Sequence, residues 1–201
     1  YFMTTLILLS LIILPINIDA ASSWSKHGSK QGVTLFVQDF PKSDVPKVRA
    51  ITIINSPTDN VWNFITGPGM KNKIKGVKDS KHLGSCGENC DYIYVRLGNW
   101  MIADRQYVVK MKWSEKDVNG SHRYIRYWKK TNEISLPNKN AMNVNSINGS
   151  WLLEPMDGGK KTRLTYENHL DLGGSVPAHL FTSGFINKAY ELMVMLKSEA
   201  R

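Results

Sequence analysis

The C-terminal stretch of the chain places the strongest constraint on its fold. A strand-like segment ends near Leu170, two glycines follow at positions 173 and 174, and an apolar, periodic segment continues to Leu196. The apolar residues of this segment recur at spacings of three and four, so they share one helical face: Phe181, Phe185, Ala189, Leu192 and Leu196. Ser175 can cap the first turn, and Pro177 is tolerated there. A helix of about 20 residues spans roughly 30 Å, so the sequence predicts a helical lid over a small domain.

The segments upstream predict what this helix covers. Several stretches rich in β-branched and aromatic residues are typical of strands: 33–39, 48–55, 92–97, 106–113, 123–129, 144–154 and 162–170. Asn119-Gly120 and the run from Pro155 to Gly159 are turn signals that join neighbouring strands as hairpins. A short helix is predicted from Ser56 to Ile65. Hairpins imply an antiparallel sheet, and helices segregated from the strands imply an α+β fold.

The stretch 106–113 alternates in a way that predicts one buried face and one face in water. Its apolar face carries Tyr107, Val109, Met111 and Trp113, and its other face carries Gln106, Val108, Lys110 and Lys112. In the last strand, Leu164, Tyr166 and Leu170 share one face with Asn168 among them, whereas His169 falls on the opposite face. We therefore expect His169 to point outward.

The length of the chain indicates how many domains it forms, and its net charge indicates which classes of binding partner suit it. The 201 residues favour one domain, and the formal net charge is +9. Such a charge suits nucleic acid or an anionic membrane surface. The sequence contains no helix-turn-helix, zinc-finger or RNA-binding signature, so nucleic acid is not an expected partner. The lysine-rich run 70–81 is typical of a solvated face, and its alternative interpretation is transient contact with anionic lipid headgroups.

Residues 4–18 form an apolar run that is too short for a comfortable membrane span, which needs about 20 residues. Pro15 interrupts the run and Ala20-Ala21 follow it, as in a secretory signal and its cleavage site. We therefore predict a signal peptide over 1–20, a polar Gly/Ser-rich linker over 21–32 and a folded domain over 33–201. The mature protein would then be periplasmic or secreted. An uncleaved N-terminal membrane anchor is the alternative.

Cys86 and Cys90 are the two cysteines of the chain. Because an exported chain meets an oxidising compartment, a local disulfide across this glycine-containing turn is predicted. The rival interpretation is a metal site completed by His82, Glu88 or Asp91. A zinc site normally needs a second Cys or His pair in recognisable spacing, and none is present, so we expect no metal.

Sequence patterns of catalysis are not found. The chain has no Gly-x-Ser-x-Gly elbow, no phosphate-binding glycine loop and no His-Glu-x-x-His motif. Its five histidines are isolated in the sequence, and a lone histidine is more often a surface or core residue than a catalytic base. The sequence therefore offers no catalytic residues, although an enzyme remains the alternative class.

Several pieces of the chain, in order, resemble the START family of lipid-transfer domains, which belongs with the polyketide cyclases in the Bet v 1-like superfamily. Three early pieces are Gly-Val-Thr-Leu-Phe-Val from Gly32, Val-Arg-Ala from Val48 and Ser-Pro-Thr-Asp-Asn-Val-Trp from Ser56. Four later pieces are Asp-Arg-Gln-Tyr-Val from Asp104, Gly-Ser-Trp-Leu-Leu-Glu-Pro from Gly149, Thr-Arg-Leu-Thr-Tyr from Thr162 and Asp-Leu-Gly-Gly-Ser-Val-Pro from Asp171. Together they extend over about residues 30–197.

The resemblance implies a helix-grip fold, in which a curved antiparallel sheet grips a long C-terminal helix around an apolar cavity. It implies one hydrophobic ligand, such as a sterol or phospholipid, that is bound and transferred between membranes without a cofactor. The expected lining residues are Tyr107, Val109, Met111, Trp113, Trp151, Leu164, Tyr166, Phe181, Phe185 and Leu192. Arg126 and Asn168 are expected to hold a polar headgroup. The alternative is a cyclase or hydratase of the same superfamily acting on an apolar substrate.

Overall fold

The structure, a computed structural model, describes residues 23–41, 43–71, 73–74, 76–98, 103–138, 140–174 and 178–200. The predicted signal peptide, the alternative anchor and the expected capping residues Ser175 and Pro177 lie outside these ranges. The described residues contain ten strands and three helices. They are β1 (Ser25–Lys30), β2 (Val33–Phe40), β3 (Ser43–Ile54), α1 (Thr58–Thr66), α2 (Pro68–Lys71), β4 (Val77–Gly87), β5 (Cys90–Leu97), β6 (Arg105–Val118), β7 (Ser121–Lys130), β8 (Met142–Asn143), β9 (Ser146–Met156), β10 (Lys161–Asp171) and α3 (Ala178–Glu199).

The strands form one large, curved, essentially antiparallel sheet. Their order is β1-β2-β3-β10-β9-β7-β6-β5-β4, and the two-residue β8 adds a parallel pairing to β6. Turn residues in the left-handed region explain the tight hairpins, as at Asn119 (φ 54°) and Gly120 (φ 77°) between β6 and β7. Most neighbouring strands are close in sequence, whereas β3 and β10 pair across more than half of the chain. The α+β helix-grip architecture expected from the sequence is confirmed.

Helix α3 packs against β3 and β2 on the inner face of the sheet, which is the face that also carries Tyr107 and Tyr166. The buried side of α3 consists of Phe185, Ile186, Ala189, Met193 and Leu196. The periodicity of the sequence predicted three of these five residues. The other two, Ile186 and Met193, extend the buried stripe, while Phe181 and Leu192 are half-buried at its margin.

A buried arginine fixes the link between β10 and α3. Arg105 is 3% exposed, and its guanidinium donates to the carbonyl oxygens of Leu172 (3.0 Å), Gly173 (3.3 Å) and Ala103 (2.7 Å). Gly173 and Gly174 adopt φ values of 66° and 71°, a region that other residues adopt at a cost. The double glycine therefore lets the chain turn after the last strand, and Arg105 stabilises the turned backbone.

The N-terminal linker prediction is wrong over residues 25–30, because Ser25–Lys30 is a strand, β1, that pairs antiparallel with β2. Most of its side chains are exposed, so backbone hydrogen bonds to β2, rather than an apolar face, hold it at the edge of the sheet. A strand that buries no face lacks the alternation by which strands are recognised in a sequence.

Two expectations about the outer face also need correction. Gln106 (3% exposed) and Val108 (1%) were expected in water, but both are buried, and Gln106 donates to the carbonyl oxygens of Asn138 and Ala141 in the irregular segment that follows β7. His169 does lie on the outer face, yet it is fully buried, because its ring stacks on Phe40 at 3.8 Å between centroids. An irregular segment covers Gln106, and such segments give no periodic signal, whereas His169 is covered by Phe40 at the end of strand β2.

Candidate functional site

The sequence-predicted lining residues lie on two surfaces that face each other. On the sheet, Tyr107, Val109, Trp151, Leu164 and Tyr166 are buried, whereas Met111 and Trp113 are half-buried farther along β6. On α3, the rings of Phe181 and Phe185 stack with centroids 5.5 Å apart, and Leu192 lies two turns farther on. All except Trp113 belong to one continuous apolar cluster between sheet and helix.

Three aromatic side chains form the centre of the inner face, here called the aromatic cluster: Trp128, Trp151 and Tyr166. Trp151 and Tyr166 are directly opposite in the β9–β10 register, with ring centroids 4.4 Å apart. Trp128 lies 6.4 Å from Trp151 and 6.3 Å from Tyr166. Gly149, the register partner of both Trp128 and Asn168, leaves room for Trp128 to lie against the strand. Trp128 was missed at the sequence level, although strand alternation from Arg126 places it on the same face.

Tyr107 and Tyr166, both on the inner face, are protonated at physiological pH. Burial raises the pKa of the Tyr107 hydroxyl well above its ordinary value. Burial likewise raises the pKa of Tyr166, with a smaller contribution from the neighbouring Tyr107, and a hydrogen bond from Asn168 offsets only part of this rise. Both groups can therefore donate a hydrogen bond, and neither is suited to accept a proton as a base.

Arg126 brings a positive charge to the inner face. Its Nε donates to Met111 Sδ at 2.8 Å, and a thioether sulfur is a weak acceptor for a guanidinium. Burial lowers the pKa of Arg126, and the nearby Asp91 carboxylate partly offsets this effect. Removal from water therefore destabilises the charged side chain, and the protein supplies it with few strong acceptors.

Arg126 lines a cavity of about 300 Å³, together with Trp62, Thr66, Asp91 and Trp113. Helix α1 forms the wall opposite the strands, and it is held against β7 by the stacked rings of Trp62 and Tyr124, 4.7 Å apart. Sequence reasoning named Arg126 and Trp113 but missed Trp62, Thr66 and Asp91. Asp91 is directly opposite Met111 in the β5–β6 register, so it could have been found only if the strand order had been known.

The structure does not bring Arg126 and Asn168 together around one headgroup. Arg126 is opposite Trp151, Trp151 is opposite Tyr166, and Asn168 lies two residues beyond Tyr166 on β10. Two strand spacings and a two-residue rise separate their Cα atoms by about 12 Å. The side chain of Asn168 is 8% exposed, and its Oδ1 atom has no hydrogen-bond partner in the described part of the chain.

Comparisons with known proteins bear on the fold of this sheet and helix. No model of a known protein family matches the sequence. The uncharacterized protein PA1579 of Pseudomonas aeruginosa is 23% identical over 189 aligned positions, covering 90% of this chain and 88% of that protein. The crystal structure of a STAR-related lipid transfer protein from Xanthomonas axonopodis superposes with a TM-score of 0.73 at 19% identity, covering 89% of this chain and 98% of that one. The chain has the helix-grip fold of the START domains.

The START fold is shared by proteins with different roles. Human STARD10 superposes with a TM-score of 0.74 at 17% identity, covering 88% of this chain and 72% of that one. An aromatase/cyclase from a Streptomyces species superposes with a TM-score of 0.51 at 12% identity, covering 77% of this chain and 92% of that one. At these identities the likeness concerns the fold.

The β4–β5 hairpin of this START fold carries the disulfide. Cys86 and Cys90 are bonded, with Cα atoms 5.1 Å apart, as the sequence predicted. The bond pins the end of the hairpin immediately before Asp91, whose Oδ1 is also 3.0 Å from His82 Nε2. Among the described residues, no group of three or more His, Cys, Asp or Glu side chains is placed to hold a metal ion.

Three lysines of the lysine-rich run form ion pairs in the described part of the chain. Lys73 pairs with Glu199 at 2.8 Å, Lys78 with Asp104 at 2.6 Å, and Lys81 with Asp79 at 3.3 Å. These pairs reduce the positive potential that an anionic surface would meet. Within the ranges that the structure describes, no helix is both long and apolar enough to span a membrane.

Proposed function

We propose that this chain binds one hydrophobic, amphiphilic ligand between the inner face of the sheet and α3, with the anionic end of the ligand at Arg126. The observation that carries the proposal is the environment of Arg126, a desolvated guanidinium whose Nε donates to a thioether among tryptophan rings. A carboxylate or phosphate would add strong hydrogen-bond acceptors, of which the described residues supply few to the guanidinium. The START fold supports the same role, because lipid-transfer domains share it.

The apolar part of the ligand would lie on the aromatic cluster and against Phe181, Phe185 and Leu192. Each methylene removed from water contributes about 0.8 kcal/mol, so an acyl chain or a sterol ring system gains several kcal/mol in such a site. Tyr107, Val109, Met111, Leu164 and Trp113 complete the proposed lining. Most of these residues also pack in the core, so the ligand would contact only part of the surface of each side chain.

The first test is to find the ligand. Protein purified under native conditions is extracted with organic solvent, and the extract is analysed by mass spectrometry. The delipidated protein is then titrated with octadecanoate and, separately, with cholesterol. We expect a stoichiometric amphiphile in the extract and saturable binding of at least one probe. Extracts without lipid, together with no uptake of either probe, would refute the proposal.

A matched pair of arginine variants tests the role of Arg126. Arg126→Gln removes the charge from the inner face, whereas Arg123→Gln removes a charge from the same strand where the side chain is about half exposed and lies 3.9 Å from Glu154. We expect Arg126→Gln to weaken octadecanoate binding at least tenfold, since hydrogen bonds to charged groups contribute about 1.5–3 kcal/mol. Arg123→Gln should leave binding unchanged. Equal affinities of both variants would exclude Arg126 as the anion site.

Two finer parts of the proposal concern transfer and location. We propose that the bound lipid exchanges with membranes, which is measured as movement of a labelled lipid from donor to acceptor vesicles, with and without anionic lipid. The disulfide supports function in an oxidising compartment such as the periplasm or the extracellular space. Detection of the native protein with reduced Cys86 and Cys90 would contradict that location.

An enzyme of the cyclase type is the second candidate, and one observation favours it. Tyr107 and Tyr166 place two protonated hydroxyls on the inner face, where they could donate to a carbonyl oxygen of a bound substrate. The natural ligand is incubated with the protein, and its mass and retention time are compared before and after. A change that depends on protein and is abolished by Tyr107→Phe would establish chemistry, whereas an unchanged ligand supports binding alone.

A further inference from the structure

We infer that the outer face of the sheet docks onto an anionic lipid bilayer through a basic and apolar surface, here called the outer patch. The outer patch consists of side chains from β3, β6, β7 and β9: Ile51, Lys112, Ile125, Tyr127, Lys129 and Leu152. It lies on the face opposite the proposed ligand site. The inference rests on the proposed function only in that it gives the exchange of lipid with membranes a contact surface.

The first observation is a row of mostly apolar side chains on the outer face. Ile125 is directly opposite Leu152 in the β7–β9 register. Thr165 on β10 continues this row to Ile51 on β3. Ile125 is 38% exposed, and Tyr127, its neighbour on the same face of β7, is 46% exposed. Single exposed apolar residues are ordinary, whereas neighbouring ones beside exposed charges mark an interaction surface.

The second observation is the positive charge around this row. Lys112 is directly opposite Tyr127, and Lys129 lies two residues beyond Tyr127 on β7. Both lysines are exposed, and neither forms an ion pair with another residue that the structure describes. The carboxylate in the register row of Tyr127 belongs to Glu167, which is paired with Arg49 at 2.6 Å. The two lysines of the outer patch are therefore available to an anionic partner.

The third observation is a cavity of about 420 Å³ on the same face, next to the outer patch. Its lining includes polar and aromatic side chains of four strands: Lys47, Tyr127, Lys129, Asn148, Ser150 and Glu167. The ammonium groups of the two lysines supply positive charge, and the Ser150 hydroxyl and the Asn148 amide can donate hydrogen bonds to a phosphate oxygen. The cavity is therefore suited to the phosphate of a lipid headgroup.

The composition of the outer patch favours a bilayer over a protein partner. Protein interfaces are depleted of lysine and enriched in arginine, whose planar fork matches a fixed carboxylate. Lysine carries a compact charge on a flexible stem, which suits mobile headgroups, and tyrosine and tryptophan are frequent at the level of the headgroups. Trp24 adds a second aromatic ring to the outer face, with its centroid 4.0 Å from Arg49 Cζ. A second copy of the chain would bring like charges together.

The test measures co-sedimentation of the delipidated protein with two kinds of vesicle, phosphatidylcholine alone and an equal mixture of phosphatidylcholine and phosphatidylglycerol. We expect the protein to bind the mixed vesicles more tightly than the neutral ones, and this binding to weaken as the salt concentration rises. Lys112→Gln combined with Lys129→Gln should weaken binding to the mixed vesicles about 25-fold, since each basic side chain near an anionic surface contributes about fivefold. Tyr127→Ser should weaken it without a change of charge.

The matched control is Lys78→Gln combined with Lys81→Gln, which removes the same charge from exposed positions on β4, outside the outer patch. It should leave vesicle binding nearly unchanged, and the melting temperature of each variant verifies that it folds. Equal losses in the two double variants, or no binding of the mixed vesicles by the wild-type protein, would overturn the inference. Retention of the wild-type protein on immobilised polyglutamate without vesicle binding would overturn it in favour of an acidic protein partner.

Binding of octadecanoate in solution separates this inference from the proposed function. The outer patch variants should bind octadecanoate as the wild-type protein does, because the outer patch and the proposed ligand site lie on opposite faces of the sheet. Octadecanoate binding without vesicle binding would overturn the outer patch alone and leave the proposed ligand site standing. Vesicle binding that depends on Lys112 and Lys129, in a protein that takes up no lipid, would support the outer patch and refute the proposed function.

Discussion

Gly149→Ala is the substitution for which the geometry makes the sharpest prediction. Gly149 lies in the middle of β9, between Trp128 on β7 and Asn168 on β10. A Cβ atom added there would be 2.5 Å from the backbone oxygen of Glu167, 2.5 Å from Trp128 Cζ2 and 2.7 Å from Asn168 Oδ1. Gly149 does not adopt a positive φ, so the expected effect comes from crowding and not from backbone conformation.

The magnitude follows from which atoms must move. Real Cβ atoms make ordinary contacts at 3.4 Å or more, so the new atom is too close by roughly 0.9 Å to two neighbours at once. Trp128 can turn away, but the Glu167 carbonyl belongs to the backbone of the adjacent strand β10 and can move only if the strands part. Overpacking of this kind costs about 1–3 kcal/mol, and because the obstacle includes backbone we expect about 2–3 kcal/mol. The melting temperature should fall by about 4–12 °C.

Urea unfolding followed by tryptophan fluorescence measures this free energy. The matched control is Gly184→Ala in α3, where the glycine is exposed and an added Cβ meets nothing within 4 Å. That control should gain up to about 1 kcal/mol, because alanine favours the helix. The reasoning is refuted if Gly149→Ala unfolds within about 0.5 kcal/mol of the wild-type protein, which is the scatter expected of a neutral surface change.

Two further predictions concern the disulfide and the buried His169. Replacing Cys86 and Cys90 by serine should lower the free energy of unfolding by about 2 kcal/mol, because the disulfide closes a short loop. Reductant should have the same effect on the wild-type protein. An unchanged urea midpoint of the serine variant would contradict this prediction. Burial lowers the pKa of His169, so the unfolded chain takes up a proton more readily and stability should decrease as the pH falls below about 6.5. His169→Gln should reduce this dependence of the unfolding free energy on pH, whereas His27→Asn, at an exposed position, should not. Equal slopes of unfolding free energy against pH for the His169→Gln variant and the wild-type protein would exclude His169 as the cause.

The fold was predictable where local signals agree with tertiary packing. Asn119-Gly120 is a turn signal because both residues tolerate positive φ, and the structure uses them in this way. The apolar face of β6 was predicted because one side of that strand contacts a core along much of its length. The opposite face was not, since the buried side chain of Gln106 contacts an irregular segment at residues that lie 32 and 35 positions later in the chain.

The candidate site was predictable only in part, because a site depends on strand order. Alternation places Arg126 on the inner face, but its cavity also needs Trp62 from α1 and Asp91 from β5, which no local pattern connects to it. The separation of Arg126 and Asn168 is set by the strand that lies between them. That strand is β9, and its position follows from the pairing of the whole sheet.

The pairing of β3 with β10 has a consequence for how the chain folds. Arg49 and Glu167, which meet across this pair, are 118 residues apart in sequence, whereas the hairpin strands elsewhere in the sheet meet their partners locally. Contacts over such separations carry a large loop-closure cost and slow the folding of β-rich domains. Strands β1 to β3 therefore keep an unpaired, apolar edge until nearly all of the chain has been synthesised. We expect this half of the sheet to be the segment that chaperones bind in the nascent protein and the last to gain protection from hydrogen exchange.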